Sequence, residues 1–560
     1  MLIGIDVGGT YTDGVIFDQG EIKASTKAST DSEDIKGSVL RVLEQLLGAR
    51  NPQDIQRVVL GTTLVTNILA TGRGEPAGLL LLPGYGLPHD AYSISPHTWY
   101  LKGAVDFRGR EIEPLDQKEL AEALRAISAK GLSRVAVAAK FANRNSKHEQ
   151  EIREYILENY PDIKVSISSE VSGKLNFPRR AVTTYFTAMT LSEWNKFADE
   201  IESALQQRGI DTSADILKAD GGTVSLASSR IMPCETVFSG PAASTMGALA
   251  LNRDKLNSVV IDVGGTTSDI SLIIDGEPLY AAKGAVIENH LTHVNAFAVR
   301  SLALGGDSPI IVVNGIPELS PIRQGPAACF GGQVPTVIDA FNIHYALNIG
   351  DAEASQVKLA SMAGDHALSL DQMTAVIVEK VTERLMKAIE EMFSQWEKEP
   401  AYKVWEVIHR RKFELQQLIG IGAAAEAILP PLAERMGVHL FMHKYSAVAN
   451  ALGASVVRPT LSVQVHVDTA ANICTIDPGG KQAPLPQGAK TQLEDVKALA
   501  CKYLVGIGGE RGMGDYTGEY KFFMQEQFNT IRGYSGSGKL FDVGVQVKPG
   551  FIKEYKGVRS

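Results

Sequence analysis

Two nine-residue segments carry the residues best suited to chemistry. Ile5 to Asp13 reads IDVGGTYTD, and Ile261 to Asp269 reads IDVGGTTSD. Each ends an apolar run on an aspartate, turns through two glycines, and leaves through hydroxyl residues to a second aspartate. Glycine lets the backbone turn tightly and bring N–H groups against an anion, here at Gly8-Gly9 and Gly264-Gly265. Thr10, Thr12, Thr266, Thr267 and Ser268 add hydroxyl donors for phosphate oxygens. Asp6 and Asp262 close the first strand of each segment, where a carboxylate can hold hydrated Mg²⁺ or orient a nucleophile. Asp13 and Asp269 can do the same from the far strand. One copy alone reads equally well as a hairpin with a Gly-Gly turn. Two matched copies read as facing hairpins that clamp a triphosphate between two domains.

The elements around these turns must position them. Apolar runs follow both segments and meet the turns Asp18-Gln19-Gly20 and Asp275-Gly276, so each copy predicts strand, glycine turn, strand. Between the copies, strands at 58–60, 78–82, 135–139 and 165–167 alternate with helical patterns at 38–47, 117–127, 148–158 and 187–207. That alternation predicts an α/β layered fold. Asp371 to Gln417 is helical in pattern, with Pro400 and its neighbours breaking it. Leu418 to Ala427, LIGIGAAAEA, predicts a strand entering a helix through Gly420 and Gly422, with close approach of a flat ring or ribose there. The rival explanation for that pair is tight helix-to-strand packing. A helix over about 446–457 ends at Arg458-Pro459. Beyond about 461 the alternation VQVHV and the glycine clusters predict a small β-rich appendage.

Composition bounds the rest. The chain has 560 residues, 44% hydrophobic and 21% charged, with net charge −9. At roughly 150 residues per domain this is several domains. The charge offers no nucleic-acid surface. Cys234, Cys329, Cys474 and Cys501 lie far apart, which excludes a CxxC zinc site and fits a reducing compartment. The N-terminus lacks the pattern of a signal peptide, and no apolar run approaches the roughly 20 residues of a membrane helix. A soluble, cytoplasmic protein is the expectation. His290 and His293, in ENHLTH, have a helical i, i+3 spacing that could present a metal site with Glu288; ordinary loop histidines are the commoner case. Gly533 to Leu540, GYSGSGKL, imitates a P-loop but has Leu540 in place of the Mg²⁺-binding hydroxyl, so a loop is expected.

The two hairpins and the later glycine turn together resemble the actin, sugar kinase and Hsp70 superfamily. Within it the chain is most similar to the hydantoinase A/5-oxoprolinase family, which includes ATP-binding subunits of ketone carboxylases. The resemblance runs over about 1–458. It is carried by Gly61-Thr62-Thr63-Leu64-Val65-Thr66-Asn67, by the strand segment VSISSEV (165–171), by Asp220-Gly221-Gly222, by Ser239-Gly240-Pro241-Ala242-Ala243, and by Pro335 to Ala340.

The resemblance implies two duplicated RNase H-like (actin-like ATPase) domains, 1–250 and 251–458, with a nucleotide cleft between them and a β-rich region at 459–560. The last helix of the second is free to return to the first. It implies ATP and Mg²⁺ as cofactors, with Asp6 and Asp262 on Mg-ATP and Gly420 and Gly422 against the adenosine. It implies phosphorylation of a carbonyl or amide oxygen of a small metabolite, as in hydantoinase or 5-oxoprolinase chemistry. The alternatives are a ketone carboxylase-type subunit, a small-molecule kinase, or a non-catalytic ATP-driven activator or assembly subunit. A second, hydantoinase B-like subunit and an oligomer are expected, with neither nucleic acid nor membrane as partner. Thr62, Thr63 and Asn67 lie where relatives line the cleft. This sequence also departs from the family pattern. Ala298 and Arg300 stand at the usual Asp-x-His step, and Asp307 replaces one glycine of the following run. Arg300 is the candidate to receive a substrate carboxylate, against an ordinary salt bridge.

Overall fold

The computed structural model describes residues 1–560 apart from 32, 49, 87, 399–411, 533–534 and 560. Two mixed sheets share one topology. In the first, the core order is Glu21–Ser29, Tyr11–Asp18, Leu2–Val7, Arg57–Thr62, Ala214–Leu217, with Thr223–Ser225 at the far edge. In the second it is Glu277–Pro278, Ser268–Ile274, Ser258–Val263, Gln417–Ile421, His439–Met442. Both follow the order third, second, first, fourth, fifth. In both the second strand runs antiparallel and the fourth parallel to the first. This is the duplicated RNase H-like arrangement. Repeated apolar strands build it: Ile3, Ile5 and Val7 are fully buried in one copy, and Val259, Ile261 and Val263 in the other.

Two helices join the halves. Ser239–Leu251 packs its small residues against the second sheet, with Ala242, Ala243 and Met246 in one cluster with Val260, Ile419 and Ile421. Ala449–Val456 returns to the first sheet, with Ala451, Leu452 and Val456 in contact with Val15 and Phe17. The helices cross almost backbone to backbone: a Cβ on Gly453 would lie 2.5 Å from the Gly247 nitrogen. Gly4 admits the second helix onto the sheet, since a Cβ there would meet the Ala451 carbonyl at 2.0 Å.

Two further units are attached. A parallel sheet of Lys164–Ile167, Arg134–Ala139, Ala77–Leu82 and Thr98–Tyr100 is inserted into the first half. It has its own core around Leu80, Leu124, Val135 and Ile152. The 31-residue helix Phe177–Gln207 ties it back to the main core through Phe177, Trp194 and Phe197. At the other end, a five-stranded antiparallel sheet spans 461–547 and buries Val463, Val465, Val467, Val543 and Val545.

Several expectations change. Ser168–Val171 is a short helix, not the continuation of a strand. The tail is not purely β: the 18-residue helix Leu493–Glu510 covers its sheet and includes the glycines at 506, 508 and 509. The P-loop imitation becomes strand from Ser535 onward, while Gly533 and Tyr534 lie outside the described residues. Pro400 also lies outside them; the helix before it is Leu370–Glu397. His290 is on a hairpin strand, reached through Glu288 and Asn289 at positive φ, so the pair with His293 does not share a helix face. His293 instead bonds Ser172 through Nδ1 at 2.9 Å. Among the described residues no helix is long and apolar enough to cross a membrane.

Candidate functional site

Parallel strands end together at one edge of each sheet, and open α/β sheets place ligands at such carboxyl ends. Here those ends are Val7, Thr62, Val263 and Ile421. The two glycine turns lie at these ends and have the same internal geometry. The Gly8 N–H donates to the Tyr11 carbonyl at 3.0 Å, and the Gly264 N–H to the Thr267 carbonyl at 3.0 Å. The N–H groups of Gly9, Thr10, Gly265 and Thr266 make no hydrogen bond among the described residues. Four free amides on two turns are what an anion cradle requires.

Behind each turn the carboxylates stand side by side, because the antiparallel register pairs Asp6 with Asp13 and Asp262 with Asp269. Asp6 is buried, and its Oδ1 has no hydrogen-bond partner. Gly61 is its parallel neighbour, and a Cβ there would strike Asp6 Oδ1 at 2.4 Å. Burial drives the Asp6 carboxyl up to about 8; the charges of Asp13 and Asp262 add to this, while Asn450 and Lys27 oppose it. Burial also raises Asp13, against the Lys27 ammonium 2.5 Å away. Asp269 rises to about 6, again chiefly by burial, with a Ser301 hydrogen bond opposing.

Asp262 is better supplied with donors. Ser244 Oγ donates to its Oδ2 at 2.5 Å, and Asn450 Nδ2 to the same oxygen at 3.0 Å. Each donor comes from one of the two joining helices. Gly422, at φ +87°, leaves room for this carboxylate: a Cβ there would meet Asp262 Oδ1 at 2.4 Å. Gly420 serves packing, against Leu429 and Met442. The carboxylate set fits Mg²⁺ held by one or two carboxylates, with phosphate and water completing the shell. Among the described residues no group of three or more His, Cys, Asp or Glu side chains forms a self-sufficient metal site.

Thr62, Thr63 and Asn67 gather beside the first turn. Thr62 Oγ1 accepts from the Leu64 N–H at 3.1 Å, and Asn67 Nδ2 donates to Thr63 Oγ1 at 3.3 Å. The Ser239 hydroxyl bonds the Thr62 carbonyl at 2.9 Å, and the Phe238 N–H bonds Thr66 Oγ1 at 3.1 Å. Thr12 turns inward, sharing a 2.9 Å hydrogen bond with Thr30, so it braces the hairpin. Arg300 is not brought to the turns. It pairs with Ile270 in register, so strand alternation puts it on the sheet face opposite Asp269 and Ser301. There it forms an ion pair with Glu391.

Residues whose role sequence reasoning missed complete the second turn. Gly306 and Asp307 N–H groups cap the Gly264 and Gly265 carbonyls at 2.9 and 2.7 Å. Gly305 permits this approach, since a Cβ there would lie 2.6 Å from the Gly265 backbone. Asn450 and Ser244 were equally hidden, because nothing local in sequence ties them to Asp262.

The sequence profile of the hydantoinase/oxoprolinase N-terminal region matches residues 2–160, and that of hydantoinase/oxoprolinase matches 180–462. The caprolactamase subunit alpha of Pseudomonas jessenii is 24% identical over 378 residues, covering 60% of this chain and 53% of its own length. The acetophenone carboxylase gamma subunit of Aromatoleum aromaticum is 25% identical over 390 residues, with 60% and 52% covered. The chain thus spans about half the length of these curated relatives. Among solved structures, nucleotide-free acetone carboxylase superposes with TM-score 0.71 at 17% identity, over 97% of this chain and 87% of that one. The ATP-dependent caprolactamase from Pseudomonas jessenii gives 0.69 at 19%, with 97% and 87% covered. Both likenesses establish a shared fold.

Proposed function

The chain belongs to the hydantoinase/oxoprolinase family, and from that premise we propose that it is an ATP-dependent enzyme subunit that phosphorylates a carbonyl or amide oxygen of a small metabolite. The observation that carries this is the pair of glycine turns with free amides, each backed by two carboxylates. In this reading residues 1–250 and 251–458 form the two halves of the clamp, and 459–560 is an appended region. Gly8, Gly9, Thr10, Gly264, Gly265, Thr266 and Thr267 cradle phosphate oxygens. Asp6 and Asp262 are the residues that would hold Mg²⁺, which supplies charge neutralisation on the phosphates when bound. Asp13 and Asp269, paired with them across the antiparallel register, are the further catalytic carboxylates of this reading. Thr62, Thr63 and Asn67 border the substrate side, and Gly422 borders the adenosine side.

Phosphoryl transfer asks the protein mainly for positioning and for stabilisation of charge. The rigid strand ends provide the first and the aligned amides the second. Transfer of the terminal phosphoryl group to the oxygen activates its carbon; in the amide case water adds to that carbon, the C–N bond breaks with nitrogen leaving as the amine, and the resulting acyl phosphate is hydrolysed to carboxylate and phosphate. A second subunit is part of this proposal, since the matched relatives are themselves named as subunits.

Calorimetry with Mg-ATP tests the nucleotide step, and absence of binding by the wild type would refute it. ADP release, screened against lactams, hydantoins, and ketones with bicarbonate, with and without the product of a neighbouring gene, tests the substrate. Release with ketone and bicarbonate alone would select the carboxylase-type alternative. Release with a sugar alone would select a kinase.

A further inference from the structure

Each glycine turn has a cation beside it, and each cation is tied to a carboxylate. At the first turn Lys27 pairs with Asp13, its cross-strand neighbour. At the second, Arg323 reaches Asp307 Oδ2 through Nε at 3.0 Å and Nη2 at 2.8 Å. The two pairs differ in freedom. Lys27 stands on a paired strand, whereas Arg323 stands in the exposed stretch 321–324 that follows the strand Ile316–Leu319.

Asp307 is fixed to the turn. Its N–H caps the Gly265 carbonyl at 2.7 Å, and its Oδ2 lies 2.7 Å from where a Gly265 Cβ would stand. Its side chain is 12% exposed, against 35% for Arg323. The guanidinium is therefore tied, through Asp307, to the turn that carries the free amides of Gly265 and Thr266. Both of its bonds use a single carboxylate oxygen, so the pairing is not the two-oxygen fork that guanidinium forms best. Partly exposed ion pairs of this kind are weak and exchange partners readily. A terminal phosphate offers two oxygens in the fork geometry.

Resting on the nucleotide-clamp reading above, we infer that Arg323 is the cation that recognises the terminal phosphate of a nucleoside triphosphate. Asp307 parks it beside the second turn until that phosphate arrives, which makes Asp307 a positioning residue. A diphosphate lacks that terminal phosphate, so the device distinguishes triphosphate from diphosphate.

The test is calorimetry on the full chain with Mg-ATP and Mg-ADP, comparing wild type with Arg323→Gln, Arg323→Lys and Asp307→Asn. Thermal melting checks that each variant is folded. Arg323→Gln should weaken ATP about tenfold or more while leaving ADP within about twofold. Arg323→Lys should recover part of the loss, and Asp307→Asn should raise the ratio of ATP to ADP affinity. Equal losses for both nucleotides, or none, overturn the inference while leaving the clamp intact. A wild type that binds neither nucleotide overturns the clamp and this inference with it.

Discussion

The two glycine turns differ at only two of nine positions, yet their surroundings are unalike. The first is open: a Cβ on Gly9 would meet nothing within 4 Å. The second is braced, its carbonyls capped by the 305–308 loop and its flank filled by Asp307. The carboxylates differ in the same way. Asp6 is buried with an unpartnered oxygen, while Asp262 is half-buried and accepts from Ser244 and Asn450. Duplication preserved the hairpin; the elements packed around each copy gave it a distinct electrostatic setting.

The largest effect should come from deleting the carboxylates. Asp6→Ala and Asp262→Ala are each expected to lower ATP turnover by about 10²-fold or more, by steady-state ADP release. If only one of the two matters, the turns are not partners in one clamp. Next is a pH effect confined to the first turn. The folded-state value of about 8 for Asp6 lies above its ordinary 3.8, so the folded protein holds a proton that the unfolded chain has released. Stability of the nucleotide-free protein should therefore fall as pH rises from about 4 to about 8, by on the order of a few kcal/mol. Asp6→Asn should flatten that slope in denaturant titrations at several pH values. A wild type whose stability does not change across the window contradicts it.

A smaller contrast separates the turns sterically. Gly265→Ala places a methyl 2.7 Å from Asp307 Oδ2 and should cost about 1–3 kcal/mol, whereas Gly9→Ala should melt like the wild type. Equal melting temperatures for the two variants would show that the brace is loose. The smallest effect belongs to Arg300. Its partly exposed pair with Glu391 lies on the sheet face opposite Asp269, so Arg300→Gln should shift stability by less than about 1 kcal/mol and leave turnover unchanged. A large loss of turnover would restore Arg300 as a substrate ligand.

Sequence was informative where chemistry is local. The hairpins are legible because strand, glycine turn and carboxylates fall within nine residues, twice. Arg300 misled because its family position suggested the cleft, although alternation with Ser301 sends it to the other face. Asn450, Ser244 and the Asp307–Arg323 pair became visible only in three dimensions, since each partner comes from a different element. The ENHLTH histidines show a local signal underweighted: Glu288 and Asn289 take the turn conformation that breaks a helix. In the tail, glycines disguised the helix Leu493–Glu510, which is held by packing of Val496, Ala500 and Leu504 rather than by propensity.

The near-contact of Gly247 with Gly453 has a mechanical consequence. Long side chains would interlock the two joining helices like gear teeth and let them ratchet along one another. Here there are none at the crossing, and backbone meets backbone. Sliding would bring a residue with a Cβ to where only glycine fits, so Gly247 and Gly453 fix a single register for the pair. The two halves are thus pinned to one another at a fixed setting. Because Ser244 and Asn450 ride on those same two helices, that fixed setting also sets the distance between the two donors of Asp262.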